Sequence, residues 1–179
     1  MDDLRAAPPP ASAVEVQVLG KQIVNGLPVR STRPLEFVTA LAWGGGEASL
    51  TTLRTTLFGG CAGRSAVATL AYRARRMGVE TVFDRYRDSY RLTGRVTVDV
   101  LEMMAALRDG DHRLAIWLYE GPYLPASRTP MATRVREILR RRVREATDTV
   151  DPDLRDRYVA RFRDLLDVEP MNALDELVG

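Results

Sequence analysis

The chain has one cysteine, one histidine and one lysine among 179 residues. Cys61 alone can form no intrachain disulfide and no cysteine-based zinc site. With His112 as the sole imidazole, most metal centres and most His-dependent triads are excluded. No apolar run approaches the ~18 residues of a membrane-spanning segment, so no membrane contact is expected. Residues 1–13 (MDDLRAAPPPASA) carry three prolines and no apolar h-region, which excludes a secretory leader and predicts a disordered N-terminal tail. Walker A, G-x-G-x-x-G and G-x-S-x-G patterns are all missing. These absences lead to the expectation of a cytoplasmic protein without enzymatic activity, metal or cofactor. Hydrophobic residues at 45% and charged residues at 28% suffice for a globular core.

Net charge is only +2, yet it is unevenly distributed. Residues 61–95 hold eight arginines against Glu80, Asp84 and Asp88, a net +5. Residues 131–147 hold six arginines against Glu137 and Glu145, a net +4, and residues 148–179 come to −5. Two basic blocks and an acidic tail predict different faces for different partners.

Alternation of Val14, Val16 and Val18 with Glu15 and Gln17 predicts a half-buried strand. Asn25-Gly26 supplies the two positive-φ residues of a tight hairpin, so residues 14–31 read as a small antiparallel sheet. Ser31-Thr32-Arg33-Pro34 is a helix start with a hydroxyl cap, and Gly44-Gly45-Gly46 ends that helix. Helices are predicted over 50–58 and 64–77, the second burying Val67, Leu70, Ala71, Ala74 and Met77. Strands 82–86 and 90–93 then form a hairpin tipped by Arg87-Asp88-Ser89.

From residue 98 the periodicity is helical. One helix stops at Asp109-Gly110, and Asp111 caps the next. Thr129-Pro130 and Asp151-Pro152 open helices over 131–147 and 154–167, with a last short helix after Pro170. Such short helix pairs suggest a tetratricopeptide-like stack.

Strands, three helices and a β-hairpin in that order make a winged helix-turn-helix, in which the third helix enters the groove and the hairpin is the wing. The +5 block covers those two elements, where a duplex needs positive charge. Arg64, Ser65, Thr69, Tyr72, Arg73 and Arg76 are the candidate DNA-binding residues of the helix. All but Arg64 form one strip by their three- and four-residue spacing, opposite the apolar stripe. Arg85, Arg87 and Arg91 are the candidates on the wing. An ordinary solvated basic face, or ion pairing to Asp84 and Asp88, is the competing reading. Ala66 and Ala68 leave few long side chains near the helix start.

The residues also carry a family likeness. Thr32–Phe37, the run from Ser49 to Leu53, Leu57-Phe58-Gly59, Tyr72–Arg76 and Ser89-Tyr90-Arg91-Leu92 resemble the helices and wing strand of OmpR/PhoB-type winged-helix regulators. Val98-Asp99 and Leu118-Tyr119-Glu120-Gly121-Pro122-Tyr123-Leu124-Pro125 resemble the start of a bacterial transcriptional activator domain. Together they are similar to the antibiotic-pathway regulators of actinobacteria over residues 14–145. Phe58 stands where that family has Trp and Ser89 where it has Gly, and the helical half is shorter. The resemblance implies an α+β winged helix over 14–94 followed by an all-α, tetratricopeptide-like domain over 98–179. It also implies binding to double-stranded DNA, contact with RNA polymerase, and a homodimer. A protein-interaction adaptor that keeps the fold but no longer reads DNA is the alternative.

Other residues have plainer readings. Arg134, Arg136, Arg140, Arg141, Arg142 and Arg144 read as a solvated face pairing with the acidic tail, or else as phosphate contacts. Arg142 lies beside the apolar stripe. Trp43, Trp117, Tyr119 and Tyr123 read as packing, and His112 as a surface residue.

Overall fold

A computed structural model describes residues 13–166. The fold is mixed α/β, with eight helices and two small sheets among those residues. The alternating valines form β1 (Val14–Gln17), with Val16 buried and Glu15 exposed. Next come β2 (Ile23–Val24) and β3 (Leu27–Pro28), joined through Asn25 (φ 48°) and Gly26 (φ 77°), the left-handed pair that the hairpin requires.

Helix α1 (Thr32–Trp43) starts where Ser31 and Pro34 predict, but Ser31 does not cap it with its side chain. The neighbouring Thr32 hydroxyl donates instead to Gln22 Oε1 at 3.2 Å, tying the helix start to the first sheet. A strand absent from the sequence reading, β4 (Glu47–Ser49), follows the glycines. Ser49 then caps α2 (Leu50–Phe58), its hydroxyl accepting from the Thr52 N–H at 3.0 Å. Helix α3 (Arg64–Arg76) buries Val67, Leu70, Ala71 and Ala74 against α1 and α2.

The hairpin is β5 (Thr81–Asp84) and β6 (Ser89–Leu92), with register Thr81↔Leu92 to Asp84↔Ser89. Its tip is residues 85–88, not 87–89. Asp84 Oδ1 accepts from the N–H groups of Tyr86 (2.9 Å) and Arg87 (3.2 Å), and this local turn ends the strand early. β4 pairs with β6, giving a three-stranded sheet in the order β4-β6-β5.

β7 (Val96–Val98) returns to pair parallel with β1 and completes the order β3-β2-β1-β7. The first sheet is therefore not purely antiparallel. α4 (Asp99–Asp109) follows directly, then α5 (His112–Leu118), capped by Asp111, and α6 (Pro130–Thr147), capped by Thr129. The helix predicted over 154–167 is divided at the buried Phe162 into α7 (Pro152–Arg161) and α8 (Arg163–Leu166). The short helix expected after Pro170 lies outside the described residues.

One continuous apolar core runs from β1 and α1 through α4 to α6 and α7. Three polar ties reinforce it. Asp99 at the start of α4 accepts from the backbone N–H groups of Val18 and Leu19 (3.0 Å each) and from that of Val100 (2.7 Å). Burial outweighs these donors and pushes its carboxyl up to about 6. Glu36, fully buried on α1, accepts from Arg33 (2.8 Å), Thr129 (3.0 Å) and the Ser127 hydroxyl. Arg136 on α6 donates to the carbonyls of Tyr123 (2.8 Å), Leu124 and Ser127 (2.9 Å). Gly20 lets the two strands of chain meet: a Cβ there would lie 2.5 Å from the Glu120 carbonyl oxygen.

Tyr119 and Tyr123 are packed as predicted, but Trp43 is 43% exposed and Trp117 74% exposed. His112 is half-buried rather than on the surface, with its ring edge-on to Tyr158 at 5.2 Å.

Candidate nucleic-acid interface

Helix α3 has two unlike faces because its apolar residues repeat at helical spacing. The face turned from the core presents Arg64, Ser65, Thr69, Tyr72, Arg73 and Arg76, all exposed. Thr69 turns its hydroxyl back to the Ser65 carbonyl at 2.9 Å, an intrahelical bond that leaves its methyl outward. Arg76 Nη1 donates to the Tyr72 hydroxyl at 3.4 Å, which pairs two side chains of the strip. Arg73 makes no hydrogen bond or ion pair among the described residues, so its guanidinium is available to an external anion.

The hairpin stands beside the start of this helix. Arg64 Nη2 lies 2.8 Å from Asp88 Oδ1, and its guanidinium carbon is 5.5 Å from the Phe83 ring centre. Arg75, near the other end of α3, donates to the Thr81 carbonyl at 3.2 Å. Within the hairpin, Tyr90 of β6 packs against its cross-strand partner Phe83 (4.9 Å) and edge-on to Phe37 of α1 (5.6 Å, 82°). Burial pushes the Tyr90 phenol up, while the charges of Arg75 and Arg64 pull it back and that of Asp88 adds to the rise. The hairpin is thus held to both α1 and α3 rather than projecting alone.

The three candidates on the hairpin differ. Arg87 lies 3.5 Å from Glu47 on β4, and Glu47 also accepts from the Ser89 hydroxyl at 2.5 Å. Arg85 in the tip and Arg91 on β6 are exposed and make no ion pair among the described residues. Among the described residues the hairpin arginines do not pair with Asp84 or Asp88: Asp84 faces the backbone of the turn, and Asp88 faces Arg64.

Of the second basic block, Arg136 points inward to the three linker carbonyls and is not part of a solvated face. Arg141 and Arg142 pair with Glu145 of their own helix, at 3.8 and 3.3 Å. Arg134 is exposed.

Tyr86 is the residue of this face that sequence reasoning missed. It is fully exposed, at 103% of the reference area, between Arg85 and Arg87. β-propensity assigned it to a strand, whereas the Asp84 turn sets it at the tip. Among the described residues, no three His, Cys, Asp or Glu side chains gather as a metal-binding group. No described helix is long and apolar enough to cross a membrane. The chain matches no known family model and is significantly similar to no curated protein sequence.

Proposed function

We propose that the chain is a DNA-binding transcription regulator of the winged helix-turn-helix type. In this reading α2 and α3 form the helix-turn-helix, α3 enters the major groove, and the β5–β6 hairpin is the wing. The observation that carries it is the exposed row Tyr72, Arg73 and Arg76 beside a hairpin whose Arg85 and Arg91 have no described intrachain anion. Cations left unneutralised on adjoining elements fit the phosphates flanking a groove, whereas arginines of a merely structural face find carboxylates. Ser65, Thr69 and Arg64 extend the same strip toward the helix start. The helical segment, read as a tetratricopeptide-like extension, contacts RNA polymerase or a second copy of the chain. The site of action is then the bacterial cytoplasm, at the nucleoid, and no catalytic step is involved.

The adaptor reading is favoured by a different observation. Arg64 and Arg87 are already paired within the chain, to Asp88 and Glu47. With Ala66 and Ala68 beside them, the start of α3 has little reach for base edges.

Selection of bound fragments from a genomic library separates the two. A single enriched motif that survives competitor DNA supports the regulator, with Arg73→Ala weakening it. Uniform weak binding that vanishes with salt overturns the site-specific regulator, and capture of a protein partner with no salt-dependent DNA affinity supports the adaptor.

A further inference from the structure

Tyr86 is a large aromatic side chain with no packing role, held on a fixed support. Its ring makes no aromatic contact among the described residues. The backbone around it is pinned on both sides. Asp84 Oδ1 holds the N–H groups of Tyr86 and Arg87 at 2.9 and 3.2 Å. The Asp88 carbonyl accepts from the Leu50 N–H at 2.7 Å, and the Asp88 carboxylate is paired with Arg64 at 2.8 Å. The tip is therefore anchored to the first residues of α2 and α3.

We propose that Tyr86 is a wedge that enters the minor groove of duplex DNA and opens one base step beside the site faced by α3. The inference rests on the DNA-binding reading above and assigns a specific mode of contact to its wing. A wedge must project beyond its support, be flat and largely apolar, and be delivered without a large loss of conformational freedom. Tyr86 meets all three requirements: its ring is fully exposed, it turns on only two side-chain torsions, and its backbone is held by the hydrogen bonds of the turn. Arg85 beside it is exposed with no ion pair among the described residues and places positive charge where the phosphates of the two strands approach across the narrow groove, while Arg87 on the other side is held by Glu47. Opening a step is least costly at pyrimidine–purine steps such as TA and CA, so the wedge also selects sequence by deformability.

The test uses the chain with duplexes enriched by selection, each carrying a single 2-aminopurine at successive positions of the protected site. Binding of the unaltered chain is expected to raise 2-aminopurine fluorescence roughly twofold or more at one pyrimidine–purine step as that base unstacks. Tyr86→Phe keeps the rise. Tyr86→Ala abolishes it and weakens binding roughly tenfold, with its melting temperature unchanged and its salt dependence retained. An equal rise with Tyr86→Ala, or no rise anywhere along DNA that the chain demonstrably binds, overturns the wedge and leaves the DNA-binding reading intact. Failure of the unaltered chain to bind any duplex overturns both.

Discussion

Arg64, the first residue of α3, holds Asp88, the last residue of the hairpin tip, at 2.8 Å. Both side chains are about half exposed or more, so the pair contributes little to stability, on the order of 0–1 kcal/mol. Its consequence is geometric: it joins the two elements of the basic face and occupies a guanidinium that, on the proposed DNA-binding reading, is otherwise open to phosphate.

Asp88→Asn separates these roles. Asp88 has φ 47°, a left-handed conformation that Asn also adopts readily. The variant is expected to lose less than about 1 kcal/mol in a denaturant titration. Its DNA affinity should rise several-fold, with a salt slope steeper by about 1, because Arg64 is released to the duplex. Unchanged affinity would show that Arg64 does not face DNA.

Arg136 and Arg73 should behave in opposite ways. Arg136→Ala strips hydrogen bonds from three carbonyls between Tyr123 and Ser127 and is expected to cost about 2–3 kcal/mol of stability. Arg73→Ala should leave the melting curve unchanged and weaken DNA binding. Parallel melts and binding isotherms of the two variants check the division.

Glu36→Ala should be among the most damaging single changes. The carboxylate is fully buried and serves Arg33, Ser127 and Thr129 at once. Removing it leaves three donors of α1 and the α6 approach without their acceptor, at about 3 kcal/mol or more. Glu36→Gln, which keeps one acceptor oxygen, should cost less in the same unfolding measurement.

Asp99 gives the fold a specific pH signature. Its carboxyl is raised by burial to about 6 from the ordinary 3.8, so between those values the folded chain binds the proton more tightly than the unfolded chain. Stability from this group is therefore greatest below about 4 and declines as pH rises through about 6. The stability difference between the unaltered chain and Asp99→Asn, measured by urea titration at pH 7 and pH 5, should shift in favour of the unaltered chain at pH 5. Taking the difference cancels the other carboxylates, and no shift would mean that the three backbone donors offset burial.

Helix positions were legible because their signals are local. Thr129-Pro130, Asp151-Pro152 and Asp111 start α6, α7 and α5 as their capping chemistry requires, and the apolar spacing of Val67, Leu70 and Ala74 marks the inner face of α3. What the sequence concealed depends on distant partners. β4 and β7 are three residues each, too short for a period, and exist because β6 and β1 are there to pair with them. The exposure of Trp43 and Trp117 contradicts their hydrophobicity, and the inward turn of Arg136 depends on a carbonyl cluster thirteen residues or fewer before it. All nine candidates of the basic face are exposed, as the α3 stripe and the hairpin predict. Their pairing was not legible: Asp88 takes Arg64 on the helix, and Glu47, in the strand that was missed, takes Arg87.

The most direct test of the account is the salt dependence of DNA binding by the unaltered chain and by the triple variant Arg73→Ala, Arg85→Ala, Arg91→Ala. If these three guanidinium groups, which have no ion pair among the described residues, meet phosphates, the slope of log K against log salt should be shallower in the variant by about 2–3, with the fold intact by melting. Equal slopes in the two proteins, or no measurable binding by the unaltered chain, would contradict a DNA-binding role for this face.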